Sequence, residues 1–121
     1  MNKVILMVED TEDNRQLLRD LVGGAGYQLI EAEDGAAGIA MAAEHKPDLI
    51  LMDIQLPVID GYEATRRIKT DPALRHIPII AVTSYALSGD EAKAREAGCD
   101  GYVAKPFSPR ELLAMIRELL A

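Results

Sequence analysis

The chain has 121 residues, 20 acidic against 13 basic, and a formal net charge of −7. That length matches one domain of ~100–150 residues, able to bury roughly two-thirds of its unfolded surface without staples. The acidic balance excludes the clustered Lys and Arg of a nucleic-acid binder, the single cysteine excludes a disulfide framework or cysteine-built zinc site, and no run reaches the ~18–20 apolar residues that cross a bilayer. Met1-Asn2-Lys3 leads into an apolar run too short for a secretory signal and without its cleavage pattern, so a cytoplasmic domain is expected.

Short apolar runs alternate with amphipathic stretches. Val4-Ile5-Leu6-Met7-Val8 reads as a strand, and Leu17, Leu18, Leu21 and Val22 then recur at helical spacing. Gly23-Gly24 and Gly26 are expected to stop that helix. Gln28 to Ala32 is a weaker strand, followed by an alanine-rich helix carrying Ala36, Ala37, Ile39, Ala40, Met41 and Ala43, closed by Pro47. Asp48 to Asp53 has the continuous apolar centre of a parallel strand covered on both faces. Tyr62 to about Thr70 reads as a helix with its exit at Asp71-Pro72, and Ile77 to Thr83 as a strand. Residues 85–97 make a poor helix, mostly alanine on the apolar face with Ser88-Gly89 inside, and Tyr102-Val103-Ala104 a short fifth strand. Ser108-Pro109-Arg110-Glu111 has the pattern of a helix start: cap, proline at N1, glutamate at N3. Leu112, Leu113, Ile116, Leu119 and Leu120 would form its buried face.

Strict alternation of five strands and five helices predicts a parallel sheet with helices on both faces, and right-handed crossovers leave few doubly wound topologies. No repeat or linker divides the chain, so one domain over 1–121 is expected. In such a sheet ligands bind beyond the carboxyl ends of the strands, at the switch point. Those ends carry Glu9-Asp10, Asp53, Thr83-Ser84 and Lys105-Pro106. Taken singly, each residue is ordinary: a solvated loop pair, a capping aspartate, a structural threonine, a surface lysine. Together they put three carboxylates, a hydroxyl and an ammonium at one end of the sheet. Three close carboxylates need compensation, from Lys105 or from a hard divalent cation that takes oxygen ligands. Asp53 is then placed to act as a nucleophile, with Mg²⁺ and Lys105 neutralising a transferring phosphoryl group. Gly23 to Gly26 ends a helix rather than opening one, so a phosphate-binding loop is not expected. His45 and His76 are expected to face solvent, and Cys99 to pack as a small apolar residue.

The stretches Val8-Glu9-Asp10, Asp48 to Pro57, Asp60-Gly61, Ile77 to Thr83 and Gly98 to Phe107 are, as a set, highly specific. Over essentially its whole length the chain resembles the receiver domain of bacterial two-component response regulators. The resemblance implies a five-stranded flavodoxin-like (βα)5 sheet of strand order 2-1-3-4-5. It implies Asp53 as the phospho-acceptor, Asp10 as a direct Mg²⁺ ligand, Glu9 acting through water, and the Gln55 backbone carbonyl as the third protein ligand. Lys105 would contact the phosphoryl group, Thr83 would swing toward it, and Tyr102 would turn inward as the coupled aromatic switch. Lys105-Pro106 would be a cis peptide. Glu9 replaces the commoner Asp. Asp13 to Leu18 and Met52 to Pro57 look more like stand-alone receivers of the DivK type, or those of hybrid kinases, than like receivers fused to DNA-binding domains.

The function implied is a phosphorylation-controlled switch, phosphorylated by a histidine kinase or histidine phosphotransfer protein and turning over no external metabolite. With no output domain after Ala121, output is expected through a downstream protein target, from a monomer or weak phosphorylation-dependent dimer, without nucleic acid or membrane. Two alternatives share features with it. A haloacid dehalogenase-type phosphatase also uses an aspartate nucleophile and Mg²⁺, but pairs it with a second Asp two residues on, where this chain has Gln55. A flavin carrier on the same architecture would offer hydroxyls and amides in the first loop, where this chain has Glu9, Asp10, Glu12 and Asp13. Gln55 and Tyr85 would flank the water that hydrolyses a phosphorylated Asp53, and the bulk of Tyr85 predicts slow autodephosphorylation.

Overall fold

Runs of Val, Ile and Leu with no polar alternation lose least when both faces of an extended strand are covered. In the computed structural model, which describes residues 3–83, 90–105 and 107–121, they form a central sheet. The elements are β1 (Val4–Val8), α1 (Glu12–Gly24), β2 (Gln28–Ala32), α2 (Gly35–His45), β3 (Leu49–Asp53), α3 (Gly61–Thr70), β4 (Ile79–Thr83), α4 (Asp90–Ala97), β5 (Gly101–Ala104) and α5 (Pro109–Leu120). Every pairing is parallel, and the order is β2-β1-β3-β4-β5. The sheet is doubly wound, as the alternation of elements predicts, and its flavodoxin-like order is the one the family resemblance implies.

The period-2 geometry of a strand splits each run between two cores. Leu6 and Val8, Ile50 and Met52, Ile79 and Ala81 meet Ala42 of α2, Ala64 and Ile68 of α3 and Ala94 of α4. Ile5 and Met7, Leu49 and Leu51, Ile80 and Val82 meet Leu18 and Val22 of α1 with Leu112 and Ile116 of α5. Each of the larger fully buried side chains contributes roughly 1.5–3 kcal/mol by leaving water. From β1 the chain winds out to the β2 edge, and from β3 it winds the other way to β4 and β5. The direction therefore reverses between β1 and β3, and a crevice opens there at the carboxyl end.

Local chemistry sets the helix ends. Asp34 and Asp60 accept from the amides of Ala37 (2.7 Å) and Glu63 (2.9 Å), and Ser108 accepts from that of Glu111 (3.4 Å) with Pro109 in the first turn. Several expectations shift. Leu17 is 56% exposed, and Leu18 and Val22 carry the buried stripe of α1. Gly23 and Gly24 lie inside the last turn of α1, while Gly26, at φ 95, turns the chain. The buried face of α2 is Gly35, Gly38 and Ala42, and the expected alanines stand half-buried or exposed. A Cβ on Gly38 would lie 2.8 Å from Val8, so α2 approaches β1 too closely for a larger residue. Ile77 is buried but precedes β4. Leu113, Leu119 and Leu120 of α5 are only half-buried. His45 and His76 are exposed and Cys99 is buried, as expected. Ser84 to Gly89, including Tyr85 and the first five residues of the helix predicted over 85–97, lie outside the described residues, as does Pro106 with the expected cis peptide.

Candidate phosphoryl-acceptor site

Strand ends deliver the polar groups. Glu9 and Asp10 follow β1, Asp53 ends β3, Thr83 ends β4, and Lys105 follows β5. Carboxylate oxygens of Glu9, Asp10 and Asp53 all lie within 4.8 Å of one another. Glu9 is 1% and Asp53 5% exposed, while Asp10 stands in solvent. Lys105 Nζ donates to Glu9 Oε1 at 2.8 Å and lies 3.8 Å from Asp53 Oδ2. The Gln55 backbone N–H donates to Asp53 Oδ1 at 3.1 Å, and its side-chain amide donates to Thr83 Oγ1 at 2.8 Å. Thr83 is buried. Tyr102 pairs with Ala81 in register and packs half-buried against the α2–α3–α4 core. The sheet thus brings together Glu9, Asp10, Asp53, Lys105, Thr83 and Gln55, with Tyr102 on the neighbouring strand.

Burial, and then the hydrogen bond and charge of Glu9, push the Asp53 carboxyl up to about 8; Lys105 and the Gln55 amide oppose this. Burial also acts to raise Glu9, but hydrogen bonds with Asp53 and Lys105 outweigh it and hold Glu9 below the usual range. Neighbouring acids titrate as a pair whose affinities are driven apart. The donor set also suits a hard cation. A Mg²⁺ with ligands at about 2.1 Å separates its ligand atoms by about 3 to 4.2 Å, and the three carboxylates, within 4.8 Å of one another, need to draw only slightly closer to share one ion.

α3 must begin beside Asp53, and Gly61 allows it. A Cβ there would overlap the Asp53 carbonyl oxygen and stand 2.7 Å from Ile54 Cα. Between them, Val58 takes the left-handed region at φ 69 while its side chain points to solvent. Two features escape inspection of the chain alone. One is the Gln55–Thr83 hydrogen bond, which joins residues 28 apart. The other is Arg15, a buried cation in α1 whose Nη1 donates to the Glu9 carbonyl oxygen at 2.9 Å. Helical spacing from Leu18 and Val22 puts Arg15 near the inner face, but nothing in the chain names its partner.

A doubly wound sheet with acids gathered at the β1–β3 reversal and a lysine from β5 defines a class of phosphoryl-accepting domains. Residues 5–117 match the family described as "Response regulator receiver domain", and the chain belongs to that family. It is 47% identical over 120 residues to the polar-differentiation response regulator DivK of Brucella anthropi, spanning 99% of this chain and 98% of that protein. DivK of Brucella ovis matches with the same identity and coverage. Among solved structures, the receiver domain of a Pseudomonas aeruginosa sensor histidine kinase, with a magnesium ion coordinated in its active-site cleft, superposes with a TM-score of 0.92 at 38% identity. That match covers 99% of this chain and 98% of the other. The chemotaxis response regulator CheY4 of Vibrio cholerae superposes at 0.91 with 27% identity, covering 99% and 100%. The chain is a phosphoryl-accepting switch of two-component signalling, of the DivK kind. Neither the dehalogenase-type phosphatase nor the flavin carrier is favoured. Among the described residues, no helix is long and apolar enough to cross a membrane.

Proposed function

We propose that Asp53 accepts the phosphoryl group from a phosphohistidine. The observation that carries this is the placement of a buried carboxylate within reach of one ammonium and two further acids at the sheet's reversal point. In the transfer an Asp53 carboxylate oxygen forms the new P–O bond, the P–N bond of the donor breaks, and the imidazole nitrogen keeps its electron pair. Asp53 must be ionised to attack, yet in the metal-free protein burial and Glu9 favour its protonated form. Lys105 favours the carboxylate, and its Nζ leaves Glu9 to meet the incoming phosphoryl oxygens. Asp10, exposed, is open to a direct bond with Mg²⁺; Glu9 acts through water, and the Gln55 backbone carbonyl completes the protein donors. A bound Mg²⁺ would supply positive charge to the three carboxylates and to the phosphoryl oxygens. The Thr83 hydroxyl, anchored by Gln55, contacts the phosphoryl group, and Tyr102 follows it inward.

The only chemistry assigned to the chain is its own phosphorylation and dephosphorylation, carried out in the cytoplasm. The donor is a histidine kinase or phosphotransfer protein, and the output is a protein contact. An apolar groove of about 720 Å³ opens beside Lys105, lined by Leu17, Leu21, Phe107 and Pro109 among others, giving a protein donor surface to bury next to Asp53. The test is intact-mass analysis after incubation with an acyl phosphate and Mg²⁺. Wild type gains one phosphoryl group and Asp53→Asn gains none; full labelling of Asp53→Asn would overturn the assignment.

A further inference from the structure

Arg15 stands in the first turns of α1, where a cation opposes the helix dipole. It is also 8% exposed, so its guanidinium is largely taken out of water. Helix stability does not account for a buried cation there; its partners do. Nη1 donates to the Glu9 carbonyl oxygen at 2.9 Å. Nη2 donates to Glu12 Oε2 at 2.6 Å and lies 3.3 Å from Glu33 Oε1, while Nε lies 3.7 Å from Glu31 Oε1. Glu31 is itself fixed by Arg19, through two hydrogen bonds of 2.7 Å. The guanidinium is therefore moored to β2 and the start of the β2–α2 loop.

The group it grips matters most. The Glu9 N–H already donates to the Ala32 carbonyl of β2 at 3.0 Å. With its carbonyl held by Arg15, Glu9 is hydrogen-bonded at both ends of its backbone, and rotation of the Glu9–Asp10 peptide plane would break the Arg15 bond. That plane sets the directions in which both carboxylates leave the chain. We infer, on the reading of Glu9, Asp10 and Asp53 as a divalent-cation site, that Arg15 is a positioning residue for that site, clamping the peptide between its first two acids.

Charge and positioning make opposite predictions. A guanidinium close to a divalent cation repels it, so if Arg15 acted by charge alone, Arg15→Gln would tighten Mg²⁺ binding and Arg15→Lys would leave it unchanged. As a clamp, its loss loosens the ligands. Groups that orient metal ligands typically govern affinity by roughly 10–100-fold, and lysine lacks the fork that reaches the carbonyl and the carboxylates together. The experiment is calorimetric titration of Mg²⁺ alone into metal-free wild type, Arg15→Gln and Arg15→Lys. It is run well below each variant's melting temperature, with backbone amide chemical shifts of residues 9–11 recorded before metal is added. Arg15→Gln is expected to weaken Mg²⁺ roughly 10–100-fold and Arg15→Lys to weaken it less, both with shifted 9–11 amides. If Arg15→Gln does not fold, Arg15→Lys decides alone. Equal or tighter Mg²⁺ binding in the folded variants overturns the clamp while leaving the phosphoryl-acceptor reading intact. A wild type that binds no Mg²⁺ overturns the cation site and the clamp with it.

Discussion

Asp53 is held in conditions that suit its neutral form. Its carboxyl titrates near 8 in the folded protein, chiefly through burial and then through Glu9, against 3.8 for an unperturbed aspartate. The folded state therefore binds this proton more tightly than the unfolded state. The resulting stabilisation is complete below about pH 4 and is lost as pH rises toward 8. Glu9 has the opposite sign: its depressed value stabilises the fold above about pH 4.5 and is lost as pH falls. Urea unfolding in chelator should thus show wild type losing stability between about pH 4 and 8, while Asp53→Asn lacks that decline. Parallel pH profiles for the two proteins would show that Asp53 is ionised without cost.

The helices depend on short-range groups that can be removed one at a time. Asp34 and Asp60 accept short hydrogen bonds from the first turns of α2 and α3, whereas the Ser108 bond is long at 3.4 Å. Replacing a cap by alanine costs about 0.5–2 kcal/mol. Denaturant midpoints should therefore place Asp34→Ala and Asp60→Ala toward the upper part of that span and Ser108→Ala toward its foot. Gly61 is a different case. An alanine Cβ there meets the backbone of Asp53 and Ile54 rather than a flexible tip, so α3 or the end of β3 must shift. Overpacking typically costs about 1–3 kcal/mol. Gly61→Ala should lose at least that much by the same measurement and should slow phosphoryl labelling, because the displaced strand end carries Asp53. Unchanged labelling would show that the entry to α3 yields without moving β3.

Across the molecule, stability is unevenly shared. The strands β1, β3 and β4 are buried nearly throughout, and α5 adds Leu112 and Ile116 to the core. The described part of α4 contributes only Ala94 and Ala97 as buried apolar residues, and an alanine removes little apolar surface from water. Elements with few buried contacts open most easily and supply the parts that move. Native-state hydrogen exchange should show residues 90–97 opening at lower free energy than β3. Phosphorylation should change protection mainly within residues 83–105, which hold the proposed switch residues Thr83 and Tyr102. A change centred on α1 would place the switch elsewhere.

Much of this was written into the chain. Continuous apolar runs, capping residues and strict alternation of strand and helix determined the doubly wound sheet, because each is a local pattern that the backbone reads without knowing its partners. The same alternation put Glu9, Asp10, Asp53, Thr83 and Lys105 at one end, since a parallel sheet aligns all its carboxyl termini. The packed molecule decided what spacing along a helix cannot. Leu17 turned outward and Arg15 inward on α1, because the width of a helix's buried stripe is set by the strands beneath it. Gly38 rather than its neighbouring alanines faces β1, because only there does Val8 come so close. The Gln55–Thr83 bond, the Lys105–Glu9 pair and the Arg15 grip on the Glu9 carbonyl join residues 28, 96 and 6 apart. Such contacts depend on side-chain directions that are defined only once both cores are packed, and the acidity of Asp53, which follows from its burial and from Glu9, is settled at the same moment.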